Sequence, residues 1–166
     1  MLVERYEQKL LRYGNKFLSA REDMEDTVQE VFMSVYQNIR SFDTTQKFSS
    51  WIYRIAHNAF INQIRKNSRN PIVLPDFDTL ISHAVYEDPL QKEREHKEMQ
   101  KMLDAGLGEL PQKYREILIL YYLEEMQYKD IADILQVPTG TVGVRLKRAK
   151  DVLKKTYEKM NVHYGT

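Results

Sequence analysis

The 166-residue sequence predicts an all-α protein of two small helical domains joined by a linker, the C-terminal domain being a helix-turn-helix. Three observations lead there. Glycine and proline number only 6 and 5, while the good helix formers Leu, Glu, Lys, Gln, Arg and Met are plentiful. Apolar residues recur at intervals of three and four along most of the chain, the period of an amphipathic helix. One stretch, residues 68–90, breaks that period with Pro71, Pro75 and Pro89 and with Asp76, Asp78, Glu87 and Asp88. The domains this predicts are 1–68, an acidic linker at 69–100, and 101–166. The composition, 42% apolar against 30% charged, suits a globular chain rather than a disordered one.

Tyr6, Leu10, Tyr13 and Phe17 mark the first helix. A polar break follows, in which Ser19 with Glu22 three residues on has the form of a capping box. Val28, Val31, Phe32, Val35 and Ile39 form the stripe of a second helix, with Asp26, Gln29 and Glu30 off it. Residues 41–50 carry no stripe and read as a loop with two aromatics, Phe42 and Phe48. A third helix starts at Ser49 or Ser50, turns Trp51, Ile52, Ile55, Ala59 and Ile64 inward, and ends near Asn67. Trp51, lying on this stripe, reads as core rather than as a stacking platform. Within the acidic segment a short helical stretch is expected around Leu80 to Val85.

Leu90 to Leu107 reads as a charged helix closing at Gly106 or Gly108, and Leu110-Pro111 opens another with Ile117, Leu118, Leu120, Tyr121 and Leu123 apolar. Tyr128 to Leu135 is a short helix, Gln136-Val137-Pro138 a tight turn, and Thr139 caps a helix running to about Met160. That last helix turns Val142, Leu146, Ala149, Val152 and Leu153 inward and Arg145, Lys147, Arg148 and Lys150 outward. A short helix, a tight turn and a second, basic helix make a helix-turn-helix. Its basic helix suits the major groove, where Arg and Lys read guanine edges or hold phosphates.

Charge supports the same division. The net charge is only +1, but residues 40–69 hold 6 basic and 1 acidic side chains, and residues 139–159 hold 7 and 2. Residues 71–108 hold 4 and 8. Two basic surfaces flanking an acidic middle suit a polyanion touched at two places, although two solvated helix faces give the same count. The absence of cysteine excludes disulfides, thiolate metal sites and cysteine nucleophiles, and agrees with a reducing cytoplasm. His57, His83, His96 and His163 share no metal-ligand spacing. No apolar run approaches the roughly 20 residues that span a bilayer, and no signal peptide opens the chain.

Three motifs carry a resemblance to a known family. Residues 23–32, Asp-Met-Glu-Asp-Thr-Val-Gln-Glu-Val-Phe, resemble a helix of bacterial sigma factors. Phe48-Ser49-Ser50-Trp51-Ile52-Tyr53-Arg54-Ile55-Ala56, with Asn58, Asn62 and Arg65, resemble the next. Leu110-Pro111, Tyr114-Arg115, Tyr128 to Ala132, Val137-Pro138, Gly140-Thr141-Val142 and Arg145 to Ala149 resemble the C-terminal domain of that family. The order, the spacing and the short length match the extracytoplasmic function (ECF) group.

The resemblance implies a cytoplasmic protein that binds core RNA polymerase, directs promoter-specific initiation and assists melting of the −10 element, and that is not an enzyme by itself. It implies docking on the polymerase β′ coiled coil through Asp26, Gln29, Glu30 and Met33, and a second contact with the β flap. It implies −10 contact through Phe48, Tyr53, Arg54, Asn58, Asn62, Arg65 and Lys66, where captured bases stack on aromatic faces for roughly 1–3 kcal/mol each. It implies −35 contact through Thr139, Thr141, Val144, Arg145, Lys147 and Arg148. Gly143 departs from the family, where a basic or polar residue is common, and costs about 1 kcal/mol relative to alanine in a helix. Many relatives are held by a membrane-anchored anti-sigma factor, and neither a cofactor, a metal, a catalytic residue nor a small-molecule substrate is implied. From the residues alone a stand-alone dimeric helix-turn-helix regulator remains open, as does a pure interaction protein. No phosphate loop or Ser-His-Asp order points to an enzyme.

Overall fold

The computed structural model describes residues 2–68 and 89–164; the stretch expected to be helical around Leu80 to Val85 lies outside them. Every regular element among the described residues is helical. The chain divides into two compact units, Met1–Asp76 together with Asp133–Gln136, and Phe77–Ala132 together with Val137–Thr166.

The first unit is built on α1 (Leu2–Gly14), α2 (Arg21–Asn38) and α3 (Phe48–Asn67). Helix α1 buries Tyr6, Leu10 and Tyr13 at the predicted spacing, and Phe17 and Leu18 are buried in the turn that follows. The capping box expected at Ser19 does not form. Ala20 caps α2 without a side-chain hydrogen bond, and the first turn carries Glu22 and Asp23, which suit the positive end of the helix dipole. Helix α2 buries Thr27, Val28, Val31 and Val35, and the Thr27 hydroxyl donates to the Asp23 carbonyl at 2.6 Å. Helix α3 begins at Phe48, one residue before the predicted start, with Trp51, Ile52, Tyr53, Ala56, Phe60 and Ile61 buried.

Aromatic edges fill the core of this unit. The Tyr13 ring lies 5.0 Å from Phe17, 5.2 Å from Tyr53 and 6.0 Å from Phe60, all edge-on. The Tyr13 hydroxyl and His57 Nδ1, both buried, meet at 3.0 Å, so neither polar group is left orphaned. A second aromatic group, Phe42, Phe48 and Trp51, packs with centroids 4.9–5.5 Å apart and extends to Tyr6. It anchors both ends of the loop between α2 and α3. Trp51 is buried there, as its place on the stripe predicts. Between the anchors, Asp43 Oδ1 accepts from the Thr45 amide at 3.0 Å and the Thr45 hydroxyl at 2.7 Å, and Oδ2 accepts from Gln46 Nε2 at 3.2 Å. These bonds make an Asx turn at the loop tip.

The second unit holds α4 (Pro89–Gly106), α5 (Gln112–Leu118), the start of α6 (Tyr128–Leu135) and α7 (Thr139–Tyr164). Residues 89–100, assigned to the linker for their charge, are helix from Pro89 onward, and Met99 is fully buried. Met99 and Leu103 of α4, Ile117 and Leu118 of α5, Ile131 of α6, and Val142, Leu146, Ala149 and Leu153 of α7 are the buried apolar residues of this unit. Helix α5 widens into a π-helical turn over Ile119–Leu123, closed by the Glu124 amide on the Ile119 carbonyl at 3.0 Å. In this last turn the Tyr122 carbonyl accepts from Gln100 Nε2 of α4 at 3.2 Å. Arg115 Nη2 holds the carbonyls of Gly108 and Leu110 at 2.9 and 3.1 Å, and burial lowers its pKa from the usual arginine value.

Two expectations follow. A Cβ at Gly14 falls inside the van der Waals shell of the Phe60 ring, which is fully buried and held by Tyr13 and Phe17. Gly14→Ala is expected to destabilise by about 1–3 kcal/mol in urea unfolding. Gly108→Ala, whose Cβ meets nothing within 4 Å, is expected to be neutral or to stabilise by up to about 1 kcal/mol. The hydrogen bonds from the Thr45 side chain and backbone, then from Gln46, hold the Asp43 carboxyl below its ordinary 3.8. A carboxyl depressed by folding stabilises above its unfolded value, and that stabilisation is lost as pH falls through the depressed one. The loop is therefore expected to stay closed at neutral pH and to open only in acid below the ordinary aspartate range. An NMR titration midpoint for Asp43 at or above 3.8 contradicts the turn.

Candidate functional site

On α2 the four residues Asp26, Gln29, Glu30 and Met33 are all exposed and fall at i, i+3, i+4 and i+7, one stripe of an α-helix. The opposite face buries Val28, Val31 and Val35. With Ser34 and Gln37 the four residues line one shallow depression. Met33 is 60% exposed and Tyr36, one turn further, is 80% exposed. Tyr36 was not singled out from the sequence, although it continues the same side of the helix at i+3 from Met33. A large thioether and a phenol standing in solvent beside two carboxylates suit a protein partner with apolar and basic groups.

Between α2 and α3 runs a groove of about 590 Å³ lined by Glu30, Val31, Ser34, Ile55, Asn58, Ala59, Asn62 and Lys66. Helix α3 contributes Asn58, Asn62 and Lys66 at successive intervals of four, with Ile55 and Ala59 beside them. Amides and an ammonium over an apolar floor can hydrogen-bond base edges and hold phosphate. Three of the seven predicted −10 residues thus come together with Glu30 of the docking stripe. Arg65 is exposed outside the groove lining, and Arg54 is half-buried.

Two predicted −10 residues are placed differently. Tyr53 is 3% exposed, with its ring against Tyr13, so it is core and not a strand contact. Positions 52, 53, 56, 60 and 61 all face inward, because α3 is covered by α1 as well as α2 and its buried face is wider than one stripe. Phe48 is half-buried with Tyr6, Phe42 and Trp51 around it at 5.4–5.5 Å. It anchors the loop, leaving only part of its ring to solvent.

Helix α6 ends in a Schellman turn. Gln136 takes φ 54°, the left-handed conformation that usually selects glycine, and the Val137 amide bonds the Ala132 carbonyl at 3.0 Å. Gln136 Nε2 donates to the Asp133 carbonyl at 2.6 Å. Pro138 then lets α7 begin at Thr139, with the Thr141 amide on the Pro138 carbonyl. The start of α7 is open: Thr139, Gly140 and Lys147 are exposed, Thr141, Val144 and Arg148 half-buried, and nothing lies within 4 Å of a Cβ placed on Gly140. These positions form one face.

Arg145 is not on it. It is 4% exposed, and its Nη1 lies 3.8 Å from Oε1 of Glu116 on α5, itself 8% exposed. Its position between Val142 and Ala149 on the buried stripe outweighs its charge, so the expectation of DNA contact by Arg145 is corrected here. No group of three or more His, Cys, Asp or Glu among the described residues has metal-binding geometry. No described helix is long and apolar enough to cross a membrane.

Comparison with known proteins bears on this arrangement directly. Residues 2–70 match the family Sigma-70 region 2, and residues 100–153 match Sigma-70, region 4. The chain is 33% identical to the ECF RNA polymerase sigma factor SigW of Bacillus subtilis, with 93% of this chain and 86% of that one covered. It is 31% identical to the ECF RNA polymerase sigma-E factor of Haemophilus influenzae, with 93% and 84% covered. Among solved structures it resembles the sigma factor RpoE bound to the anti-sigma factor NepR from Bartonella quintana, with a TM-score of 0.65, 24% identity and 94% of each chain covered. It also resembles CnrH bound to the cytosolic domain of CnrY, with a TM-score of 0.67, 21% identity, and 95% of this chain and 86% of that one covered. The first unit carries region 2 and the second region 4, and the chain belongs to the ECF group of sigma-70 factors, which bind core RNA polymerase and direct promoter-specific initiation.

Proposed function

We propose that the chain divides this work among three faces. Asp26, Gln29, Glu30 and Met33, extended by Tyr36, dock on the β′ coiled coil of core polymerase. Asn58, Asn62, Arg65 and Lys66 take the opened −10 strand, with Arg54 beside them and the Asx-turn loop after α2 bordering the captured base. Thr139, Thr141, Val144, Lys147 and Arg148 at the start of α7 meet the −35 element as duplex. A contact with the β flap belongs to the second unit, and the acidic linker serves as the spacer between units. Such a protein works in the cytoplasm, where core polymerase meets DNA. An anti-sigma factor, if membrane-anchored, would compete for the same exposed α2 surface.

The observation that carries this reading is the groove between α2 and α3, which sets Glu30 of the docking stripe beside Asn58, Asn62 and Lys66 on one compact unit. A strand held there lies against the polymerase that opened it. Effective concentration then does for two modest DNA contacts what neither does alone.

The test is reconstituted transcription with sigma-free core polymerase on a genomic template library. Specific starts are expected, and Gln29→Lys with Glu30→Lys should abolish them while weakening core binding at least about tenfold, a factor worth roughly 1.4 kcal/mol. Absence of specific starts together with tight operator binding by the protein alone would establish the dimeric regulator instead. On a promoter found this way, Lys147→Ala is expected to reduce the salt slope of holoenzyme binding by about 1, without changing which −35 sequences are preferred. A changed preference would make Lys147 a base reader.

A further inference from the structure

We infer that Glu116 and Arg145 are a positioning pair for the −35 element: a buried ion pair between α5 and α7 that sets the rotation and register of the recognition helix without touching DNA. The inference rests on the reading of α7 as the −35 helix and adds residues outside its exposed face.

The pair crosses the interface between α5 and α7, with Nη1 of Arg145 and Oε1 of Glu116 at 3.8 Å and the two side chains 5% and 10% exposed. Its neighbours along both helices include fully buried apolar residues. Val142, Leu146 and Ala149 on α7 and Ile117 and Leu118 on α5 are all 2% exposed or less. Replacing a buried ion pair with apolar residues of similar size often stabilises a protein, so stability alone does not account for charges at this spot. Apolar contacts are also non-directional, and a helix seated only on them can roll or slide at small cost. An ion pair between long side chains has a preferred distance and orientation, and a single buried polar group can fix register.

Register matters here because of what stands on the other side of α7. Thr139, Thr141, Val144, Lys147 and Arg148 share a helix with the buried stripe, so any roll of α7 turns them relative to the groove. Hydrogen bonds to base edges weaken steeply with misalignment. Gly140 and Gly143 add no side chain to that face, which leaves few contacts to correct a misplaced helix.

The experiment uses holoenzyme reconstituted from core polymerase and the full chain. A promoter library with randomised −35 base pairs reads preference at each position, alongside core binding and the unfolding temperature. Glu116→Gln and Arg145→Lys are expected to leave core binding unchanged and to flatten preference across the whole −35 element by about fivefold or more, the scale of one good base contact. The apolar double variant Glu116→Leu with Arg145→Met is expected to unfold at or above the wild-type temperature and still not regain that preference. Recovery of full preference in the double variant would overturn the inference, since packing alone would then suffice. Loss at one base pair in Arg145→Lys with an intact profile in Glu116→Gln would also overturn it, as Arg145 would be reading a base. So would a parallel fall of core binding, preference and unfolding temperature in every variant. A flat −35 profile in the wild-type protein would sink the reading of α7 itself, and the pair's role with it, before any variant is made.

Discussion

Leu10, Tyr13, Ile52 and Phe60 in one unit, and Ile117, Leu120, Ile131, Val142 and Ala149 in the other, are completely withdrawn from solvent. The remaining structure depends on their burial. Helix α1 has 13 residues, α5 7 and α6 8, and isolated helices of that length are marginal in water. Each exists because one face is covered. On each helix the uncovered face is the surface left for polymerase or DNA, and the helical period decides which residues stand on it. Asp26, Gln29, Glu30 and Met33 are available because Val28, Val31 and Val35 are not. Small units make the constraint tight, since little core exists to compensate for a lost contact.

The same period explains how much was legible in the sequence. Most helices, the turn at Gln136-Val137-Pro138 and the burial of Val28, Val31 and Val35 on α2 follow from residue spacing, while Ile39, on the same expected stripe, is exposed. Tyr53 and Arg145 were misplaced because their chemistry was weighed above their positions. A tyrosine in a basic segment and an arginine in a basic helix look like ligands for nucleic acid, yet both fall on the inward face of their helices. In Tyr53 the error is one of phase as well as width: Ile55, Ala59 and Ile64, expected inward, are only half-buried, and the buried face of α3 runs through Tyr53, Ala56 and Phe60. In Arg145 the sequence holds no sign of Glu116, 29 positions earlier, until the fold brings the two together. Residues 89–100 read both as acidic linker and, from Leu90, as charged helix; the structure has them in a helix that buries Met99 and Leu103. The π-helical turn at Ile119–Leu123 has no sequence signal, and neither has the bond its Tyr122 carbonyl accepts from Gln100 of another helix.

Loop rigidity between α2 and α3 is also built from both ends. Phe42 and Phe48 tie its stems to Trp51, and Asp43 closes its tip on Thr45 and Gln46. A loop this constrained loses less entropy on meeting a partner than a free one, and most of what it gains in contacts is kept as affinity. Its polar side chains are largely engaged with one another at the tip, so its contribution to a strand is shape as much as hydrogen bonding.

Each unit also carries a buried polar bridge between helices distant in sequence: Tyr13 to His57 in the first, Glu116 to Arg145 in the second. Both sit among buried apolar residues. Their common logic is the difference between holding two helices together and holding them in one relation. Apolar area supplies the first, in proportion to what it removes from water and with little regard to orientation. A hydrogen bond or ion pair in a dry interior supplies the second, because any relation that separates its partners leaves a buried polar group unsatisfied, at a cost of about 1–3 kcal/mol and more for a charge. Proteins that only need to stay folded can dispense with such groups. Helices that present a face to a partner are constrained not only in being held but in how they are turned, and each bridge ties one such helix, α3 or α7, to a helix packed behind it.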